Sequence, residues 1–324
     1  MTRNLYLKGA CLCVLAFIAA LSGGLSSVQT EKVFFGNLHS HTSLSDGSGT
    51  PREAYLRARD VAKLDFLALT EHNHKEALGS DGIGIGKTPA LYNGTGANSL
   101  ISVANSMTQN GRFVALYGQE FSSISKGNHA NVFDIREVIT SQNGQFDQLL
   151  SFLATNKDST GQPAIMMFNH PQNTLEVVQK EYGIDDFGDT GNFVAKMGAQ
   201  ARLIQMINGP ALTAGDNLKL PSPDEEAFRK YLAMGFKLAP TADQDNHNKN
   251  WGTSTSARTG VIATELTKVS LLDAMRMRHV YATEDKNLKV VIKVNNHLCG
   301  DVISPLPPAG ELSIQYAISD ADEP

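Results

Sequence analysis

Asn37-Leu38-His39-Ser40-His41-Thr42-Ser43-Leu44-Ser45-Asp46-Gly47 is the stretch on which the fold reading turns. The apolar run Val33-Phe34-Phe35 precedes it, and Thr50-Pro51-Arg52-Glu53 follows it. Residues two apart on an extended chain face the same side. His39 and His41 therefore present two imidazoles together at a strand end, with the Asp46 carboxylate on the loop beyond. Neutral imidazole and carboxylate suit zinc, manganese or iron. Two histidines in this pattern also occur as surface or core residues, so the rest of the chain decides.

Outward from that stretch, Thr50 reads as a helix cap, Pro51 as the first helical position and Glu53 as the third, a capping box. The predicted helix runs to about Lys63, and 64–70 reads as a second buried strand. Strand, helix and buried strand in succession form a parallel, right-handed unit. The alternation recurs, with strand-like runs at 112–118, 164–169, 203–208, 236–241 and 260–263. Helical stretches fall at 97–110, 146–156, 224–234 and 271–278. The fold class is α/β, and seven strand–helix beats predict a distorted seven-stranded (β/α) barrel.

Active groups in such barrels sit at the carboxyl ends of the strands. The second strand ends in Thr70-Glu71-His72-Asn73-His74 and the third in Gly118-Gln119-Glu120-Phe121, followed by a segment at 127–133 that carries His129. The fourth ends in Phe168-Asn169-His170-Pro171 and the sixth in Asp243-Gln244-Asp245-Asn246-His247. Of nine histidines, only His279 and His297 fall clearly elsewhere. Pro171 predicts an extended backbone at His170. Bland alternatives stand beside these readings. Asp46 before Gly47 is a common turn pair, His129 suits an exposed loop, His74 a rim, and Arg258 the surface. Asp81 to Thr88 looks like a phosphate-binding loop but lacks the first glycine and the strand–helix context, so it reads as a rim loop.

Composition narrows the class. The chain is 41% hydrophobic and 19% charged with a net charge of -5, ordinary for a soluble globular protein. No basic stripe is present, which argues against a double-stranded nucleic acid partner. Residues 1–28 read as a signal peptide: Arg3 and Lys8, an apolar run at 10–21, then small residues. That run is short for a membrane span. The expectation is export, periplasmic or extracellular, with no stable span once the leader is cleaved. Cys11 and Cys13 lie in the leader, leaving Cys299 alone in the mature chain. The core and bound metal must then hold the fold without a disulfide. The barrel is expected over 31–285. A C-terminal β extension is expected over 286–324, with strands at 288–294, 298–303 and 311–318, a linker at 305–308 and a truncated end.

Taken in order, H-x-H with a downstream Asp-Gly, T-[DE]-H, G-x-E-F, N-H-P and D-x-H resemble the PHP (polymerase and histidinol phosphatase) metallohydrolases over roughly 33–262. The stretches 270–274 and 281–285 are similar to a secreted branch that includes aryl-carbamate hydrolases. The resemblance implies a distorted seven-stranded barrel with two or three divalent ions of zinc, manganese or iron. It implies that His39, His41 and Asp245 hold one ion. Glu120 would bridge to another on His129 and His170, while Asp46, His72 and His247 hold the remaining one. Asp46 stands where other members have histidine. Glu71 stands where the usual motif has Asp and is expected to orient His72. His74 or Asp243 would protonate the leaving group and Arg258 would bind a substrate anion. The expected function is hydrolysis of a small anionic ester, first a phosphoester, by metal-activated water. A carboxyl or carbamate ester at the same site, and a non-catalytic ligand-binding module, are the alternatives.

Overall fold

Alternating side chains build the barrel and also decide where its polar end lies. On β2 (Phe66–His72), Leu67 and Leu69 pack outward against helices, while Phe66 and Ala68 belong to the interior cluster. The same inward register then reaches Thr70 and His72. On β3 (Val114–Phe121), Val114 and Leu116 lie in that interior cluster and the register continues through Gly118 to Glu120. The interior is thus apolar at one end and acquires histidine and carboxylate at the other.

The computed structural model describes residues 31–122, 129–142, 145–171, 189–304 and 312–322. The other main-sheet strands are β1 (Lys32–Asn37), β4 (Ala130–Phe133), β5 (Ile165–Phe168), β6 (Ala201–Asn208), β7 (Ala239–Asp243), β8 (Arg258–Ala263) and β9 (Val280–Thr283). They form a nine-stranded sheet in the order β7-β6-β5-β4-β3-β2-β1-β8-β9. Its two edge strands, β7 and β9, approach one another, so the barrel is nearly closed. β1-β2-β3 and β5-β6-β7 pair in parallel, whereas β4 and β8 run antiparallel to both their neighbours.

The expected seven strands become nine. β4 falls within the added segment at 127–133, and β9 lies beyond the last expected beat. Both are four residues long, too short to show a period, and β4 and β8 enter the sheet without a helical crossover. The helices α1 (Pro51–Asp60), α2 (Ala90–Asn93), α3 (Leu100–Met107), α4 (Phe146–Thr155), α5 (Thr190–Met197), α6 (Glu225–Ala233) and α7 (Lys268–Met277) cover the sheet. The capping box at α1 is present: the Glu53 amide donates to Thr50 Oγ1 at 3.2 Å, and the Thr50 amide to Glu53 Oε2 at 2.7 Å. One outer core lies between β2, β3 and α1 and α3, and a second between β4–β6 and α4, α5 and α6.

A separate three-stranded antiparallel sheet, β11-β10-β12, comprises β10 (Lys289–Val294), β11 (His297–Leu298) and β12 (Ile314–Ser319). The Asn295-Asn296 turn has positive φ at both residues, the conformation a two-residue hairpin prefers. Cys299 is exposed. No described helix is long and apolar enough to cross a membrane. The leader expected at 1–28 and the linker at 305–308 lie outside the described residues.

Candidate metal centre

Backbone pairing brings the candidate ligands to one place. After β1 the chain continues beside the segment after β7: the Asp245 amide donates to the His39 carbonyl (3.0 Å) and the His41 amide to the Asn246 carbonyl (2.8 Å). Two residues that close this bridge, His39 and Asp245, therefore face each other although two hundred positions separate them. On the other side the Thr70 amide donates to the Ser40 carbonyl at 2.9 Å, and β2 and β3 pair His72 with Glu120. The Asn169 amide donates to the His129 carbonyl at 3.0 Å, which joins the start of β4 to the end of β5.

Four donor atoms meet first. His39 Nε2 and His41 Nε2 are 3.1 Å apart. Each lies 3.1 Å from Asp245 Oδ1, and they lie 3.0 and 3.1 Å from Glu120 Oε2. Donor atoms this close could surround a single cation, and imidazole with carboxylate suits zinc, manganese or iron. Asp245 Oδ1 is buried without a hydrogen-bond partner. A buried carboxylate oxygen aimed at two imidazole nitrogens and a second carboxylate fits a cation at this point. The donors therefore suit the expected metal.

Glu120 serves both sides. Its Oε2 also lies 3.3 Å from His72 Nδ1, while Oε1 lies 2.9 Å from His129 Nδ1 and 3.3 Å from His170 Nε2. His72, Glu120 and His129 form a second set that could hold an ion, with His170 beside it. His41, Asp46, His72 and His247 form a third. In that set Asp46 lies 3.5 Å from His247 Nε2 and 3.7 Å from His72 Nε2. The His247 Nδ1 donates to the Asp245 carbonyl at 2.8 Å, which leaves Nε2 as the free lone pair. His72 thus faces two donor sets, where the sequence reading assigned it to one.

Charge at the site follows from burial and proximity. Burial works against the charged form of His39 and His41, but Asp245 and Glu120 outweigh it, and both imidazoles are raised. Burial tends to raise Glu120, and the surrounding imidazoles, His39 foremost, overcome it, leaving the carboxyl well below the usual range. Asp245 and Asp46 are lowered in the same way, against burial, by their histidines. Burial pushes the His72 imidazole down to about 3, so it is a neutral donor. His170 at φ 29° and Asp245 at φ 51° occupy the left-handed region. For His170 this replaces the extended backbone expected before Pro171. Such conformations cost of order 1–3 kcal/mol in a non-glycine residue and persist where the surroundings dictate them.

The residues proposed for catalysis part ways. His74 lies at the rim, its ring 5.1 Å from that of His72. Its Nδ1 lies 3.1 Å from the Ala77 amide and 3.4 Å from Glu76 Oε2, and burial lowers its pKa. Asp243 is buried and accepts from the Leu38 amide at 2.5 Å and the Thr259 hydroxyl at 3.2 Å, so it ties β7 to β1 and β8. Arg258 is neither on the surface nor free for a substrate. Its guanidinium is buried and donates to the carbonyls of Gly252, Thr255 and Ala257, and burial lowers it to about 10.

Glu71 also departs from expectation. It does not orient His72; its carboxylate accepts from the Thr42 amide (3.1 Å), the Thr42 hydroxyl (2.6 Å) and the Ser45 hydroxyl (2.6 Å). It therefore pins the turn that carries Asp46. Gly47 closes the turn, because a Cβ there would lie 2.7 Å from the His41 carbonyl carbon. Replacing Glu71 with Ala strands three buried donors, at about 1–3 kcal/mol for each that stays dry. Glu71→Ala is expected to lower the unfolding free energy by about 2–4 kcal/mol in denaturant titration. It should also weaken binding of the ion nearest Asp46.

Sequence reasoning gave no role to three amides. Asn169 Nδ2 donates to Glu120 Oε1 (2.8 Å) and to Asn131 Oδ1 (2.9 Å), and Asn131 Nδ2 donates to the Leu38 carbonyl (3.1 Å). Gln205 Nε2 lies 2.9 Å from His39 Nδ1, and Gln205 Oε1 accepts the His170 amide at 2.8 Å. The available signal was a glutamine on β6 between the apolar residues Leu203-Ile204 and Met206-Ile207.

No protein-family model and no curated protein matches the chain. Among solved structures, it is similar to a two-domain protein of Bacteroides vulgatus containing a predicted PHP-like metal-dependent phosphoesterase. That match has 17% identity and a TM-score of 0.47, covering 79% of this chain and 66% of the other, just short of two thirds of its length. A Bifidobacterium adolescentis protein assigned as a metal-dependent phosphoesterase is 11% identical with a TM-score of 0.37, covering 67% and 89%. An amidohydrolase from Chromobacterium violaceum, holding sulfate and no metal, is 14% identical with a TM-score of 0.35, also covering 67% and 89%. At that level of similarity the chemistry must come from the site's own geometry.

Proposed function

We propose that this chain is a metal-dependent hydrolase of phosphoesters, acting on a small anionic substrate outside the cytoplasm. The observation that carries the reading is Glu120: one buried carboxylate shared by five imidazoles, with the unpartnered Asp245 Oδ1 beside it. Adjacent donor sets joined by one carboxylate suit two cations acting on one ester. His39, His41, Glu120 and Asp245 would hold the first ion. His129, His170 and Glu120 would hold the second, and Asp46, His72 and His247 a third. When bound, such ions supply a nucleophilic water at neutral pH and offset charge on the ester oxygens.

The protein's own groups then set position and proton placement. Asn169 fixes Glu120 Oε1, and Gln205 Oε1 holds the His170 backbone amide. The lowered His72 and the Nδ1–H of His247 keep lone pairs directed into the site. His74, at the rim beside His72, would supply a ring N–H to the departing oxygen. Asp243 and Arg258 maintain the strand ends and touch no substrate.

The test is a substrate panel on the full chain reconstituted with zinc, manganese or iron. Aryl phosphate mono- and diesters are expected to exceed aryl acetates and carbamates by at least tenfold in kcat/KM. Turnover of acetates or carbamates alone would transfer the assignment to a carboxyl or carbamate esterase. Full metal occupancy without turnover of any ester would indicate a binding module.

A further inference from the structure

Beside the metal centre a cavity of about 570 Å³ opens between the loop after β2 and the irregular segment 138–142. His74 forms the border it shares with the ligand cluster. The far wall has no strand ladder of its own, yet it is held firmly. Asn73 Nδ2 donates to the Ile139 carbonyl at 2.9 Å, Gln119 Oε1 accepts the Ile139 amide at 2.8 Å, and Gln119 Nε2 donates to the Glu137 carbonyl at 2.9 Å. Asn73 and Gln119 are buried, and each is the chain neighbour of a candidate ligand, His72 or Glu120. Opposite, Gly86 approaches so closely that a Cβ would lie 2.4 Å from the His74 carbonyl oxygen. The rim loop that imitated a phosphate-binding motif therefore contributes a cavity wall. Buried amides that register an irregular segment against the ligand strands make this a built recess.

The lining defines what it takes. Thr140 and Ser141 offer hydroxyls, Gln142 an amide, and Lys75 and Glu76 one charge of each sign. Among the described residues no phenyl, phenol or indole ring lines it, and the His74 imidazole at the border is the one ring system there, so a nucleobase or aryl group finds little face to stack on. The charges balance, so a second anionic group gains nothing. Neutral hydrogen-bonding groups over an apolar base of Val138 and Ile139 match an uncharged hydroxylated group.

We propose that this cavity is the leaving-group subsite and that the substrate is the phosphate ester of an uncharged polyol, of the sugar or glycerol class. The proposal rests on the phosphoesterase reading and adds the substrate class. Water forms a bond to phosphorus and the phosphorus–oxygen bond to the polyol breaks. One proton of the water ends on the polyol oxygen, giving inorganic phosphate and the free polyol.

Glucose 6-phosphate, glycerol 1-phosphate and phenyl phosphate are compared on the metal-reconstituted full chain and on Ser141→Trp and Thr140→Trp variants. The intact protein should favour glucose 6-phosphate or glycerol 1-phosphate over phenyl phosphate by at least tenfold in kcat/KM. Each tryptophan should cut that preference at least tenfold, mainly through KM. Preference for phenyl phosphate, or a ratio the tryptophans leave unchanged, overturns the polyol subsite while the phosphoesterase reading stands. Hydrolysis of none of the three, nor of an aryl phosphate diester, removes that reading instead. The subsite is then judged by calorimetric titration of metal-free protein with glucose 6-phosphate and with inorganic phosphate. Tighter binding of glucose 6-phosphate, lost in Ser141→Trp, supports it, and equal affinity overturns it.

Discussion

Chelation of the bound ions is expected to lower the thermal unfolding midpoint by about 8 °C for each site that was saturated. A ligand at a thousandfold excess over its dissociation constant adds about 4 kcal/mol to the folded state. In a chain of this size each kcal/mol shifts the midpoint by about 2 °C. The pH dependence gives a sharper test. His39 and His41 have raised values in the folded protein, so their contribution is fully present below the ordinary 6.5 and is lost as pH rises through the raised values. Asp46, Glu120 and Asp245 are lowered, so theirs is present above the ordinary carboxylate range and is lost as pH falls through the lowered values. His72 and His74 are lowered and act the other way, weakening the fold as pH falls below 6.5. The chelated protein should therefore be most stable near 6.5 and weaken as pH rises above it. The loaded protein should show the opposite trend over the same range, because the ions must displace protons from the same imidazoles. Melting curves recorded with and without chelator across that range decide the matter. Curves that superimpose at every pH would mean that no ion sits among these histidines.

The polar end of the barrel was readable because its chemistry lies on a regular pattern. His72 and Glu120 prolong the inward register of strands whose lower residues are apolar, and periodicity alone carries that information. His39 and Asp245 were readable only as members of a set. Their meeting depends on a backbone bridge between segments two hundred residues apart, and no local signal encodes it. β4 and β9 escaped because four residues cannot declare a period. Glu71 was assigned to the wrong neighbour for a geometric reason. In a strand, adjacent side chains face opposite ways, so a residue next to His72 points away from it and meets the 42–45 turn instead. Arg258 illustrates the same limit. An arginine entering a strand looks exposed until the three carbonyls that accept from its guanidinium are found beside it. The wall at 138–142 has no regular structure, so its place beside the ligands follows from the Asn73 and Gln119 amides alone.

Replacing Glu120 with Gln is expected to produce the largest loss of any single change at the site. The substitution keeps the shape and removes the charge that five imidazoles share, and it turns one accepting oxygen into an amide donor. Two donor sets lose a member at once, so metal content should fall by at least one ion per chain. The value of kcat/KM should fall at least a thousandfold, which corresponds to about 4 kcal/mol of lost transition-state stabilisation. Removing one partner of a buried charged cluster also destabilises the protein, by about 3–5 kcal/mol. The metal-free variant should therefore unfold earlier than the metal-free parent at mildly acidic pH, where His39 and His41 are protonated. Two companion variants separate charge from position. Asp46→Ala touches only the set formed with His41, His72 and His247, so it should leave the other ions in place and cost less activity. Asn169→Ala removes only the amide that holds Oε1, and losses of that kind run at about 10–100-fold in metal affinity. The expected order of damage is Glu120→Gln, then Asp46→Ala, then Asn169→Ala, read as metal content and as kcat/KM on the same preparations. Should Glu120→Gln keep its full complement of ions and turn over within tenfold of the parent, the shared carboxylate is not the hinge of the site. The four-donor set around Asp245 would then have to account for the chemistry alone.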